Sequence, residues 1–201
     1  WELPGDEATG LRTWVQRVVA RPLIDIPPGA SRLEDFSTAD RRTIAELDHL
    51  FWEQMQGTVG GDLLNTVRPV GGGMKLAALE DIAVAAGRGL DDVLYVGDSI
   101  TDAPPLAAVH AQGGVAVSFN GNGYALAAAE VAVAAADTAP MLELARALAD
   151  GGSAAALDVA RGWPAASPAA VGLLDERREQ LMAASLAART SVRGERAARL
   201  G

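Results

Sequence analysis

With 201 residues and 49% apolar side chains, the chain is long enough for a cored domain with an appendage and too apolar to stay disordered. Its formal charge of -9 excludes nucleic acid and anionic membranes as favoured partners, because their phosphates would be repelled. The absence of cysteine excludes disulfides, thiolate nucleophiles and sulfur-ligated metal centres, and no apolar run is long enough to insert into a membrane; a cytoplasmic protein is expected.

The chain opens on Trp1 rather than Met, which predicts a natural start upstream. Leu11, Trp14, Val15, Val18 and Val19 recur at helical spacing and predict an amphipathic helix over residues 11–20. Pro22, Pro27, Pro28 and Gly29 then make a loop. Ser37 or Thr38 can cap a second helix over residues 39–56, with an apolar stripe of Ile44, Leu47, Leu50, Phe51 and Met55. His49 lies along that helix with no second ligand at metal spacing, so it reads as a solvated or hydrogen-bonded residue. Residues 1–61 are therefore expected to form a helical cap or connecting segment.

An α/β rhythm follows. Strands are predicted at residues 63–70, 93–96, 115–118 and 131–133, and helices at 75–86, 101–112, 124–129 and 139–149. The run at 93–96 is continuously apolar, as in a strand buried on both faces. Alternation of this kind predicts a Rossmann-like parallel sheet with helices on both faces over residues 62–150, and ligands at the carboxyl ends of its strands. Residues 151–201 are rich in Ala and Arg and predict a long helix over 173–200, interrupted at Gly194. Leu173, Leu174, Leu181, Met182 and Leu186 would dock this tail on the domain, on a second copy or on a partner subunit. It shows no chemistry of its own.

The chemistry-bearing segment is Gly97-Asp98-Ser99-Ile100-Thr101-Asp102, directly after an apolar strand. Two carboxylates about 4–5 Å apart repel by roughly 3–4 kcal/mol at an effective dielectric near 20, and a hard cation such as Mg²⁺ relieves that repulsion. The hydroxyls of Ser99 and Thr101 are placed to order waters or phosphate oxygens. A helix cap, with Asp98 simply accepting amide hydrogens, explains the segment about as well. Lys75 favours the first reading. It is the one lysine among 17 Lys and Arg residues, sits at a strand-to-helix turn after Gly71-Gly72-Gly73, and opens onto the same sheet edge as Asp98.

Together, GGGMK and VLYVGDSITD resemble motifs three and four of the haloacid dehalogenase superfamily, mainly Mg²⁺-dependent phosphatases. The resemblance covers residues 63–149 and implies a phosphomonoester hydrolase working through an aspartyl-phosphate on a small phosphorylated metabolite. It implies Lys75 as the lysine that neutralises the phosphoryl group, Asp98 as a Mg²⁺ ligand, Asp102 as a second ligand, direct or through water, and Asn120 as a residue bordering the substrate. For Asn120, a turn-forming Asn-Gly pair is the competing explanation. The combination VRPVGGGMK, VGDSITD and SFNGN resembles most the branch labelled energy-converting hydrogenase A subunit R.

The Asp-x-Asp nucleophile motif of that superfamily has no counterpart before Lys75; Asp25 in PLIDIPPG is followed by Pro27 where the second aspartate belongs. The strand that normally carries the motif flanks the motif-four strand, so residues 93–96 should lack a neighbour. Upstream residues, another chain, or pairing with the 63–70 segment would fill the gap. A non-catalytic subunit that retains the scaffold, for example in a hydrogenase complex, is the rival reading.

Overall fold

Ser37 caps the helix that begins at Thr38 by accepting a hydrogen bond from the Asp40 amide. The computed structural model describes residues 4–21, 24, 25, 27 and 32–198 and divides the chain into two units, Trp1–Pro69 and Val70–Gly201. Expectations for Trp1, for Pro22, Pro28 and Gly29 and for the end of the tail at Leu200 lie outside the described residues.

In the first unit, helix α1 spans Gly5–Val19, α2 spans Thr38–His49 and continues as a π-turn through Leu50–Gln54, and α3 spans Val59–Thr66. Leu50 and Met55 of the expected stripe are buried, whereas Phe51 is partly exposed. His49 is exposed and hydrogen-bonded to Glu53. The expected strand at 63–70 is instead α3 followed by irregular chain. The hydroxyl of Thr58 accepts from the Gly61 amide, and the Glu7 carboxylate accepts from the Val59 and Gly60 amides. Three of the four orphan donors of a helix start are thereby satisfied, which outweighs the β-preference of Val67 and Val70 beyond its end.

The second unit is built on four strands: β1 Leu94–Gly97, β2 Val115–Phe119, β3 Val131–Ala134 and β4 Ala170–Leu173, in the order β1-β2-β3-β4. The first three are parallel, with Tyr95 opposite Ala116 and Ser118 opposite Ala132; β4 runs antiparallel to β3. Helices α4 (Gly72–Ala85), α5 (Ala103–Ala111), α6 (Gly123–Ala128), α7 (Ala139–Arg161) and α8 (Leu174–Ala198) complete it.

Strand parity divides the core into two layers. Val115, Val117, Val131, Val133, Val171 and Leu173 face Leu144, Ala156 and Ala160 of α7. On the opposite face the small Ala116 and Ala132 admit Leu106 and Val109 of α5, Leu126 of α6, and Leu174 and Leu181 of α8. This is the α/β Rossmann-like class with helices on both faces.

Two expectations change. The segment 151–201 is no separate tail: it supplies the second half of α7, beyond a break at Gly152 (φ 74°), then β4 and α8. A four-residue strand such as β4 carries too short a pattern to stand out from an Ala-rich background. Of the expected docking stripe, Leu173, Leu174 and Leu181 are buried, while Met182 and Leu186 face outward. The buried line on α8 runs instead through Leu181, Ser185 and Arg189. The other change concerns β1. Val96 is 40% exposed, so the strand is not covered on both faces; among the described residues it pairs only with β2, which agrees with the neighbour expected to be lacking.

Candidate functional site

β1 ends at Gly97 because the chain must turn against its own next helix. A methyl group at that position would lie 2.3 Å from Cβ of Asp102 and 3.2 Å from a Leu106 methyl. Asp102 can fold back beneath the strand end only because residue 97 has no side chain. Gly97→Ala is therefore expected to lower stability by about 2 kcal/mol, as overpacking does in rigid surroundings. A urea melt with a lower midpoint and unchanged slope checks this.

Asp102 is buried and accepts five hydrogen bonds. Its Oδ2 takes the Asp98 amide (3.1 Å), the Ser99 amide (3.1 Å) and the Ser99 hydroxyl (2.8 Å); its Oδ1 takes Lys75 Nζ (2.8 Å) and the Tyr95 hydroxyl (3.2 Å). Burial alone would raise the Asp102 pKa, but the Lys75 bond, the Asp98 amide and the Ser99 hydroxyl together outweigh it and hold the carboxyl down at about 2. Burial and the neighbouring Asp102 charge push the Tyr95 phenol up to about 12, so it stays a donor.

Lys75 arrives from the first turn of α4. That helix starts on Gly71 without a side-chain cap, and Gly72 packs so closely on Pro104 and the Thr101 carbonyl that a Cβ there would lie 2.7 Å from Pro104 Cγ. The close approach brings Lys75 Nζ to Thr101 Oγ1 at 2.9 Å as well as to Asp102. Lys75, Ser99, Thr101 and Asp102 thus form one network at the carboxyl end of β1. Asp98, on the same turn, faces a different partner set.

That set comes from α8. Arg189 Nη1 donates to Asp98 Oδ2 (2.9 Å), to the Asp98 carbonyl (3.1 Å) and to the Asn120 carbonyl (3.2 Å), and Arg193 Nη2 also donates to Asp98 Oδ2. Arg189 is 2% exposed, against 46% for the Arg193 side chain. Sequence reading missed both arginines. The available signal was the four-residue spacing of Leu181, Ser185, Arg189 and Arg193, which carries a guanidinium pair onto the buried line of α8.

Asn120 has a structural role. Its φ is 47°, a left-handed conformation that asparagine tolerates. Its amide nitrogen donates to the Ala135 carbonyl (2.8 Å) and its amide oxygen accepts from the Ala135 N–H (3.0 Å). The side chain ties the end of β2 to the loop after β3.

Lys75, Gly97, Asp98, Asp102, Asn120, Arg189 and Arg193 line a cavity of about 350 Å³. Magnesium held between Asp98 and Asp102 requires carboxylate oxygens with vacant lone pairs. Both Asp102 oxygens are saturated by protein donors, Asp98 Oδ2 serves two guanidiniums, and Asp98 Oδ1 alone has no protein donor among the described residues. No group of three or more His, Asp or Glu residues that could hold a metal occurs among the described residues. This arrangement does not fit a magnesium ion bridging the two aspartates. The repulsion expected between them is relieved by side-chain cations instead: Lys75 at Asp102, and the α8 arginines at Asp98.

A larger cavity, about 840 Å³, is lined by Pro140, Trp163, Pro164 and Pro168 with Asp137 and Asp158. Asp158 is paired with Arg161 and Asp137 accepts from the Ala139 amide, so neither acid points to chemistry there.

No protein-family model matches the sequence, and no curated protein matches it. The fold is similar to that of gene product AF1437 from Archaeoglobus fulgidus, with a TM-score of 0.69 and 20% identity. The match covers 100% of this chain and 56% of that one, so the chain spans a little over half the length of its structural neighbour. A likeness at this identity speaks for the fold alone.

Proposed function

We propose that residues 70–201 form the phosphoryl-binding side of a haloacid dehalogenase-type phosphohydrolase site, completed by a strand laid along the open edge of β1. The observation that carries this reading is the Lys75 ammonium, 2.8 Å from Asp102 at the carboxyl end of β1, in the cavity that Asp98 also lines. A lysine fixed by a carboxylate that is ionised at neutral pH, and partly open to a 350 Å³ cavity, suits a small phosphomonoester. The added strand would bring a carboxylate that attacks phosphorus. A carboxylate O–P bond forms as the ester P–O bond breaks, the leaving alkoxide takes a proton from water, and a water molecule then attacks phosphorus, breaking the O–P bond to restore the carboxylate and free phosphate. Lys75 offsets the charge on the phosphoryl oxygens through both steps.

The second reading, a non-catalytic subunit that keeps this scaffold for assembly, for example in a hydrogenase complex, is favoured by the occupation of Asp98 by Arg189 and Arg193. Calorimetric titration with inorganic phosphate tests the shared premise. Lys75→Met is expected to weaken binding about tenfold or more, equivalent to about 1.4 kcal/mol; wild-type protein that takes no phosphate overturns it. Turnover separates the two readings. The hydrolase expects phosphate release from small esters once the β1 edge is filled, abolished by Asp98→Asn, whereas the scaffold expects none.

A further inference from the structure

The α8 arginines both bind Oδ2 of Asp98, Arg189 from within the folded core and Arg193 from its margin. Ser185 donates to the Gly121 carbonyl at 3.0 Å from a fully buried position, which fixes the rotation and register of α8 over the loop after β2. One turn later Arg189 is buried and bonded to the loop ends of both β1 and β2. A guanidinium is costly to bury unless its donors are matched, so this position is specified and is no incidental surface contact. One further turn brings Arg193 to the same carboxylate oxygen, just before the helix breaks at Gly194 (φ 76°).

We infer that Arg189 and Arg193 serve as the cation of this site, so that it binds a tetrahedral oxyanion, a phosphoryl group or inorganic phosphate, without a metal ion. The inference rests on the phosphoryl-binding reading above. Its charge balance is favourable: three cationic side chains line the cavity against two carboxylates, in a chain whose net charge is -9. A local excess of positive charge in an acidic protein concentrates anions there. Arginine suits the task because its charge is permanent and its planar fork matches phosphate geometry.

The roles divide by exposure. Arg189 and Asp98 are positioning residues, one buried and the other held by two guanidiniums. Lys75 and Arg193 are each partly exposed, line the same cavity, and supply the direct contacts to the anion. A magnesium ion would find only Asp98 Oδ1 and would face both guanidiniums on the same carboxylate.

Titrating the intact chain with inorganic phosphate, once in EDTA and once in excess Mg²⁺, tests this. Wild-type protein is expected to bind equally in both, within about twofold, and Arg193→Met to lose about tenfold or more in EDTA while keeping the wild-type melting temperature within a few degrees. Binding that needs Mg²⁺ overturns the arginine-for-metal assignment and leaves the phosphoryl reading standing. Unchanged binding by Arg193→Met in EDTA also overturns the assignment. Failure to bind phosphate under either condition overturns the phosphoryl reading itself.

Discussion

Arg189→Met is expected to destabilise the protein by about 2–3 kcal/mol, lowering the melting temperature by roughly 5–10 °C. The guanidinium is 2% exposed and its Nη1 satisfies three acceptors: both the carboxylate and the carbonyl of Asp98, and the Asn120 carbonyl. Methionine fills much of the volume but donates nothing. The Asn120 carbonyl then loses its guanidinium donor, and the charge of Asp98 rests on Arg193 alone. Removing one partner of a fully buried ion pair costs about 3–5 kcal/mol; the lower figure follows because Asp98 keeps 31% of its side chain in solvent and retains the second arginine. Arg193→Met provides the contrast. Its side chain is nearly half exposed, and the expected loss is about 1 kcal/mol or less. Chemical denaturation of both variants checks the pair, and equal losses would mean that α8 is not anchored through Arg189.

Asp102→Ala is expected to cost about 3–4 kcal/mol, measured by the same denaturation. Five donors converge on this buried carboxylate, among them the amides of Asp98 and Ser99 and the Tyr95 hydroxyl. Each buried donor left without an acceptor costs about 1–3 kcal/mol, partly recovered where water enters the cavity left behind. Asp102→Asn separates shape from charge. The wild-type carboxyl lies at about 2 in the folded protein, below its ordinary 3.8. A group whose pKa is lowered by folding stabilises the protein above the unfolded value, and that contribution fades as pH falls from about 4 toward 2. The fall amounts to about 2 kcal/mol for a shift of this size. Wild-type stability should therefore drop through that window, and Asp102→Asn should show a flatter acid limb. An identical limb would mean that Asp102 is not the ionised partner of Lys75.

β1 lies at one edge of the sheet and pairs only with β2 among the described residues. An uncovered strand edge is a template for pairing, and it lies next to the turn that carries Asp98 and Asp102. The proposed completion of the site would pair this edge.

Local pattern was enough to identify β1, β2 and β3, because continuous apolar runs between turn residues have one economical solution, a parallel strand covered by helices. It also put Lys75 beside the Gly97–Asp102 turn, though not by the strand expected before Lys75: the close packing of Gly72 on Pro104 and the Thr101 carbonyl makes that approach. Residues 63–66 escaped this reading because a helix start is decided by its caps, and one of them, Glu7, lies 52 residues away from Val59. β4 escaped it because four residues leave almost no period to detect.

What occupies the two aspartates was settled only by tertiary structure. Sequence spacing implies that neighbouring carboxylates need a cation, but charge neutralisation carries no address, and a metal ion and an arginine 91 residues away meet the need equally well. The packing of Leu181 and Ser185 against the sheet rotates α8 so that Arg189 points at Asp98. Likewise, an Asn-Gly pair in the sequence does not reveal a backbone clamp, and only the arrival of the loop after β3, with the Ala135 amide in reach, makes one of Asn120.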